Sequence, residues 1–127
     1  PDPVDPSAAV DVSKRKIENL QGLYFKSDSL QLTLYDNGEV DGDTVSIVMN
    51  GRVIMPKVGL STNAVRKTIY TQEAGDSIQL IMYAETLGSL PPNTGLLIVY
   101  DGTDRYEIRF SGDMNKSSAI VFRRKRE

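Results

Sequence analysis

Eight residues, Asp36-Asn37-Gly38-Glu39-Val40-Asp41-Gly42-Asp43, hold four carboxylates, one amide and two glycines. Oxygen ligands this dense suit a hard cation. Calcium takes about six to eight oxygens at roughly 2.3–2.6 Å, and a short glycine-containing loop wraps around it easily. Asp36, Asn37, Glu39, Asp41 and Asp43 supply the donors, and a cation would relieve the repulsion between the four negative charges. The spacing departs from the helix-loop-helix calcium pattern, and the flanks read as strands. The competing reading is an exposed turn whose Asp and Asn side chains bond their own backbone.

Other chemistry is sparse. Cys and His are both absent, which removes thiol and imidazole nucleophiles, disulfides, and the usual zinc and haem ligands. Any metal must be held by oxygen, calcium or magnesium first. Glu39, Asp41 and Glu85 are carboxylates of the kind glycosidases pair across a cleft, but spacing alone shows no such pair. No serine stands in a Gly-x-Ser-x-Gly arrangement and no histidine is present to orient one, so no catalytic residue is assigned and a non-enzyme is expected. Sugar binding favours exposed aromatic platforms; Trp is absent, and Tyr24 and Tyr35 fall on outward positions. Arg123 to Arg126 make a basic end on a chain of net charge −2, which reads as a solvated terminus rather than a nucleic-acid contact. No apolar run is long enough for a membrane span.

These residues need a frame, and the frame reads as strands. Leu30, Leu32 and Leu34 alternate with Gln31, Thr33 and Tyr35, the period of a half-buried strand. Val45, Ile47 and Met49 repeat the pattern beyond the acidic stretch. Asn50-Gly51 suits the positive φ angles of a tight hairpin turn, and Arg52 to Met55 returns as its partner up to Pro56. Val65 to Thr71 follows, then a turn at Glu73 to Asp76. Ile78, Leu80 and Met82 face one way, while Ile81 and Tyr83 add apolar mass to the other, as in a strand covered on both sides. Glu85 to Thr94 contains Pro91-Pro92, which forbids ladder pairing. Gly95 to Tyr100 and Arg105 to Phe110 flank a second hairpin turn at Asp101 to Asp104, and Ser118 to Arg123 closes the series.

About eight short strands and no convincing helix predict an all-β fold, an antiparallel β-sandwich of Ig-like or jelly-roll-like kind. Residues 1–16 carry prolines and aspartates with little bulky apolar mass and read as a tether; Lys14 to Leu20 suits a helical turn or a first strand equally. Residues 17–127 form the single domain. The chain opens Pro1-Asp2-Pro3 without methionine or signal peptide, as a trimmed form would.

Three blocks resemble a β-domain of secreted or periplasmic proteins from Bacteroidetes-type bacteria: LYDNGEVDGDTVSIVMNGRVI (Leu34 to Ile54), YAETLGSLPPNTGLLIVYDG (Tyr83 to Gly102) and RYEIRFSGDMNKSSAIVFR (Arg105 to Arg123). The resemblance spans about three quarters of the chain, from the first clear strand to the end. Thr86 stands where that pattern has Asn, and Gly112 where it has Ser. The resemblance implies an envelope-associated domain appended to larger proteins, and no activity. It also implies that the acidic stretch and ETLGSLPPNT lie at one end of the sandwich, with Glu85 and Asn93 capping the acidic loop or completing a cation shell. The expected function is a non-catalytic accessory or interaction domain of the periplasm or cell surface, calcium being a candidate ligand and the partner a protein or glycan of the envelope. The alternative is a calcium-dependent carbohydrate-binding module.

Overall fold

The computed structural model describes residues 8–20, 22–36, 44–59, 64–86 and 93–125. The period-two segments become β3 (Ser29–Asp36), β4 (Thr44–Met49), β5 (Arg52–Gly59), β6 (Val65–Tyr70), β7 (Ser77–Thr86), β8 (Asn93–Asp101), β9 (Asp104–Gly112) and β10 (Lys116–Arg124). Two further short strands, β1 (Lys16–Asn19) and β2 (Leu23–Phe25), precede them. Sheet A runs β1-β10-β7-β4-β5 with β2 also on β10, and sheet B runs β6-β3-β8-β9. The all-β sandwich expected from the sequence is what forms.

The inner faces are those the alternation marks. Leu30, Leu32 and Leu34 from β3, Ile78, Leu80 and Met82 from β7, and Ile108 and Phe110 from β9 share one core with Val45, Ile47, Leu97, Val99, Ile120 and Phe122. Burial of these side chains drives the assembly, at about 1.5–3 kcal/mol for each large one. The Asn50-Gly51 turn has φ of 50° and 83°. Asn50 also donates to the carbonyls of Ala74 and Ser77 and accepts from Gln79 N–H.

Four departures have physical reasons. The ladders are antiparallel except at the edge, where β1 and β2 both run parallel to β10. They form one interrupted edge strand, and Gly22 sits at the break, where a Cβ would meet the Val121 carbonyl oxygen at 3.2 Å. Pro56 does not stop β5. The strand continues to Gly59 through a bulge at which Lys57 takes φ 45°, and the Lys57 N–H is satisfied by Ser46 Oγ at 3.0 Å. One helical turn, α1 (Thr71–Ala74), joins β6 to β7 and ends on Gly75 at φ 95°. Finally, from Ala8 onward the expected tether is packed: Ala8 and Ala9 are buried, Val12–Lys14 make a 3-10 turn, and Arg15 is only 8% exposed. Small alanines let this strap approach the outer face of sheet A, where Ala9 and Val12 cover Val48, Ile81, Tyr83 and Ala119. That is the second cover that the two-faced apolar pattern of β7 requires. No helix among the described residues is long and apolar enough to cross a membrane.

Candidate functional site

The strand ends that flank the predicted site lie at one end of the sandwich, where backbone register places them side by side. Asp36 ends β3 opposite Gly95 of β8, and Thr44 opens β4 opposite Thr86 of β7. The segments 37–43 and 87–92 therefore leave and enter the two sheets from neighbouring strands at both of their ends. Thr44 also pairs with Gly59, and Asn93 opens β8 opposite Gly112. Of the predicted donors, Asp36 and Asn93 are thus placed in the ladders at this rim. Asn37, Glu39, Asp41 and Asp43 lie outside the described residues. Among the described residues no group of three or more carboxylates is arranged to hold a metal.

Glu85 bonds to the N-terminal strap and to β4. It follows Ile81 and Tyr83 on the outer face of β7, and its Oε2 accepts hydrogen bonds from Ala9 N–H at 2.7 Å and Ser46 Oγ at 2.5 Å. Ser46 is fully buried and its oxygen in turn receives the Lys57 N–H. The strap, β4, the β5 bulge and β7 are thereby tied through one carboxylate. Tyr83 adds a second tie: its hydroxyl accepts from Asp11 N–H at 3.3 Å, and the Arg15 guanidinium lies 3.8 Å from its ring centroid. Arg15 Nη1 donates to the carbonyls of Ala84 and Asp113. Cation–π contact and two carbonyls satisfy this buried charge.

The outer face of sheet B offers another kind of surface. Its inward set being fixed, the side chains that point outward are Arg66, Thr68 and Tyr70 on β6, Gln31, Thr33 and Tyr35 on β3, Leu96, Ile98 and Tyr100 on β8, and Arg105, Glu107 and Arg109 on β9. Thr33 and Ile98, in the middle of this face, are buried, Tyr35 and Leu96 are half-buried, and the rest are exposed. Three arginines against one glutamate leave this face at +2 on a chain of net charge −2. Arg105 donates to Glu107 at 2.7 Å. Hydrogen bonds to Glu107 first, and then to Tyr100, hold its guanidinium above the ordinary value. Tyrosine and arginine, with no lysine, is the composition that dominates protein contact surfaces.

Tyr24 stands apart from the rim. It pairs with Arg123 at the far end of β10, next to Ser77. β7 runs ten residues from Ser77 to Thr86, which puts its ends about 30 Å apart at roughly 3.3 Å per step. Of the two tyrosines singled out as platforms, only Tyr35, beside Asp36, is near the acidic segment. A buried carboxylate at Asp101, 1% exposed, accepts from Lys26 N–H at 3.0 Å and Ser27 N–H at 2.8 Å and fixes the β2–β3 turn.

Sequence reasoning missed Ser46, Arg15 and the face of sheet B. A lone serine between Val45 and Ile47 on an otherwise apolar strand was the available signal for the first. Comparison of the chain with protein-family models, with curated proteins and with solved structures found no match.

Proposed function

We propose that the chain is a non-catalytic accessory or interaction domain of the bacterial periplasm or cell surface, which contacts an acidic partner, a protein or glycan of the envelope. The observation that carries this reading is the outer face of sheet B, where exposed Tyr70 and Tyr100 and half-buried Tyr35 stand among exposed Arg66, Arg105 and Arg109 on paired strands. Tyrosine brings large contact area at low entropic cost, and arginine forks match carboxylates. The resemblance to secreted β-domains supports the location. The test is retention of the purified domain by the envelope fraction of the producing cells. Binding should saturate, weaken with salt, and fall by about tenfold in an R66E/R109E variant. Binding that is unsaturable or equal in the variant would count against the reading.

The second reading is the calcium-dependent carbohydrate-binding module. In its favour, segments 37–43 and 87–92 spring from paired anchors, with Tyr35 next to Asp36. A ligand that binds the folded state stabilises it by mass action. Millimolar calcium should therefore raise the melting temperature and chelator should reverse the gain; an unchanged melt removes this reading.

A further inference from the structure

At the Ser77 end of β7, away from Thr86, lies a hollow of about 620 Å³ lined by Tyr24, Asp76, Ser77, Arg123, Arg124 and Lys125. Its size is that of a small-ligand site. Three adjacent strands build it: Tyr24 of β2, Arg123 of β10 and Ser77 of β7 stand in register. Arg124 is fixed in place. Its Nε donates to Asp76 Oδ1 at 2.7 Å, its Nη2 to the Thr71 carbonyl at 3.3 Å, and its guanidinium lies 4.8 Å from the Phe25 ring centroid. Asp76 thus answers one positive charge of three. Arg123 and Lys125 are exposed and have no ion-pair partner among the described residues. Tyr24, 59% exposed, supplies an aromatic wall.

We propose that this hollow binds a single anionic sugar unit, a pyranose ring carrying a carboxylate or a phosphate. The anion would meet Arg123, Lys125 and the free N–H groups of Arg124, which is already oriented and loses little entropy on binding. The ring would lie against Tyr24, with Ser77 as a hydroxyl partner. A longer polyanion is disfavoured because the row that continues along the outer face of sheet A is Val121 and Gln79, both uncharged. The site is separate from the face of sheet B and does not depend on it.

The test is titration of the isotopically labelled chain with glucuronate, glucose 6-phosphate, glucose and inorganic phosphate, followed by amide shifts. Saturable shifts at Tyr24, Ser77 and Lys125 are expected with one of the two anionic sugars, at least about tenfold tighter than with glucose or phosphate. Which of the two wins identifies the anion. The R123Q/K125Q and Y24S variants, with melting unchanged, should each weaken binding by about tenfold. The proposal is overturned by no saturable shift at tens of millimolar sugar, by shifts mapping elsewhere, by glucose binding equally well, or by phosphate alone matching the sugars.

Discussion

Replacing Glu85 with alanine should destabilise the domain severely although the residue is half-exposed. Its Oε2 receives the Ala9 N–H at 2.7 Å and the hydroxyl of fully buried Ser46 at 2.5 Å. Hydrogen bonds to a charged group contribute roughly 1.5–3 kcal/mol each. Because both share one oxygen that solvent partly reaches, the two together are worth about 2–3 kcal/mol rather than twice the single figure. Loosening the strap would also expose Ile81, Tyr83 and Val48 beneath Ala9 and Val12. In a domain of this size about 1 kcal/mol moves the melting temperature by roughly 3–5 °C, so the expected loss is on the order of 6–15 °C. Urea denaturation of E85A, S46A and the double variant measures it. The double variant should cost about 1 kcal/mol less than the sum, since both single changes break the same bond. A Glu85→Ala cost below about 0.5 kcal/mol, or strict additivity, refutes the clasp. A cost that appears only with calcium present would instead assign the carboxylate to a cation.

Three further outcomes follow from the frame. Asp101→Ala leaves the Lys26 and Ser27 N–H groups without their acceptor in a site 1% exposed; equilibrium unfolding should register about 2–4 kcal/mol, and Asp101→Asn less. Gly51 sits at φ 83° with open space around it, so Gly51→Ala should cost about 1 kcal/mol from backbone strain alone, read as a shift of the urea midpoint without a change in slope. The Tyr106 phenol is pushed above its ordinary value, chiefly by burial and then by Asp104 and Asp101. The folded state therefore favours the protonated phenol. Its contribution is fully present below the ordinary tyrosine range and is lost as pH rises through the raised value. Stability measured from neutral to strongly alkaline pH should fall more steeply in wild type than in Tyr106→Phe.

The inner faces were legible because they obey the period of a strand: Leu30, Leu32 and Leu34 all point into the core, as do Ile78, Leu80 and Met82. Asn50-Gly51 was legible because a tight turn leaves few alternatives. The edge was not. Lys16–Asn19 is exposed along its whole length, so β1 carries no apolar alternation, and parallel pairing with a strand 100 residues away leaves no local mark. The strap was hidden for another reason: Ala8 and Ala9 bury little mass and look like linker residues, yet their smallness is what permits close packing. Glu85 was singled out as chemistry, but its partner Ser46 lies 39 residues away. The tyrosines and arginines of sheet B are scattered over four strands, and they form one surface only in the order β6-β3-β8-β9.

The claim on which the functional reading rests is that the outer face of sheet B meets the partner. A photoreactive amino acid placed singly at Tyr100, Arg109 or Lys14 of the chain, and activated in the producing cells, tests it directly. Tyr100 and Arg109 should yield the same cross-linked product, and Lys14, on the strap over sheet A, should yield none of it. Equal products from all three positions, or products from Lys14 alone, would contradict the account.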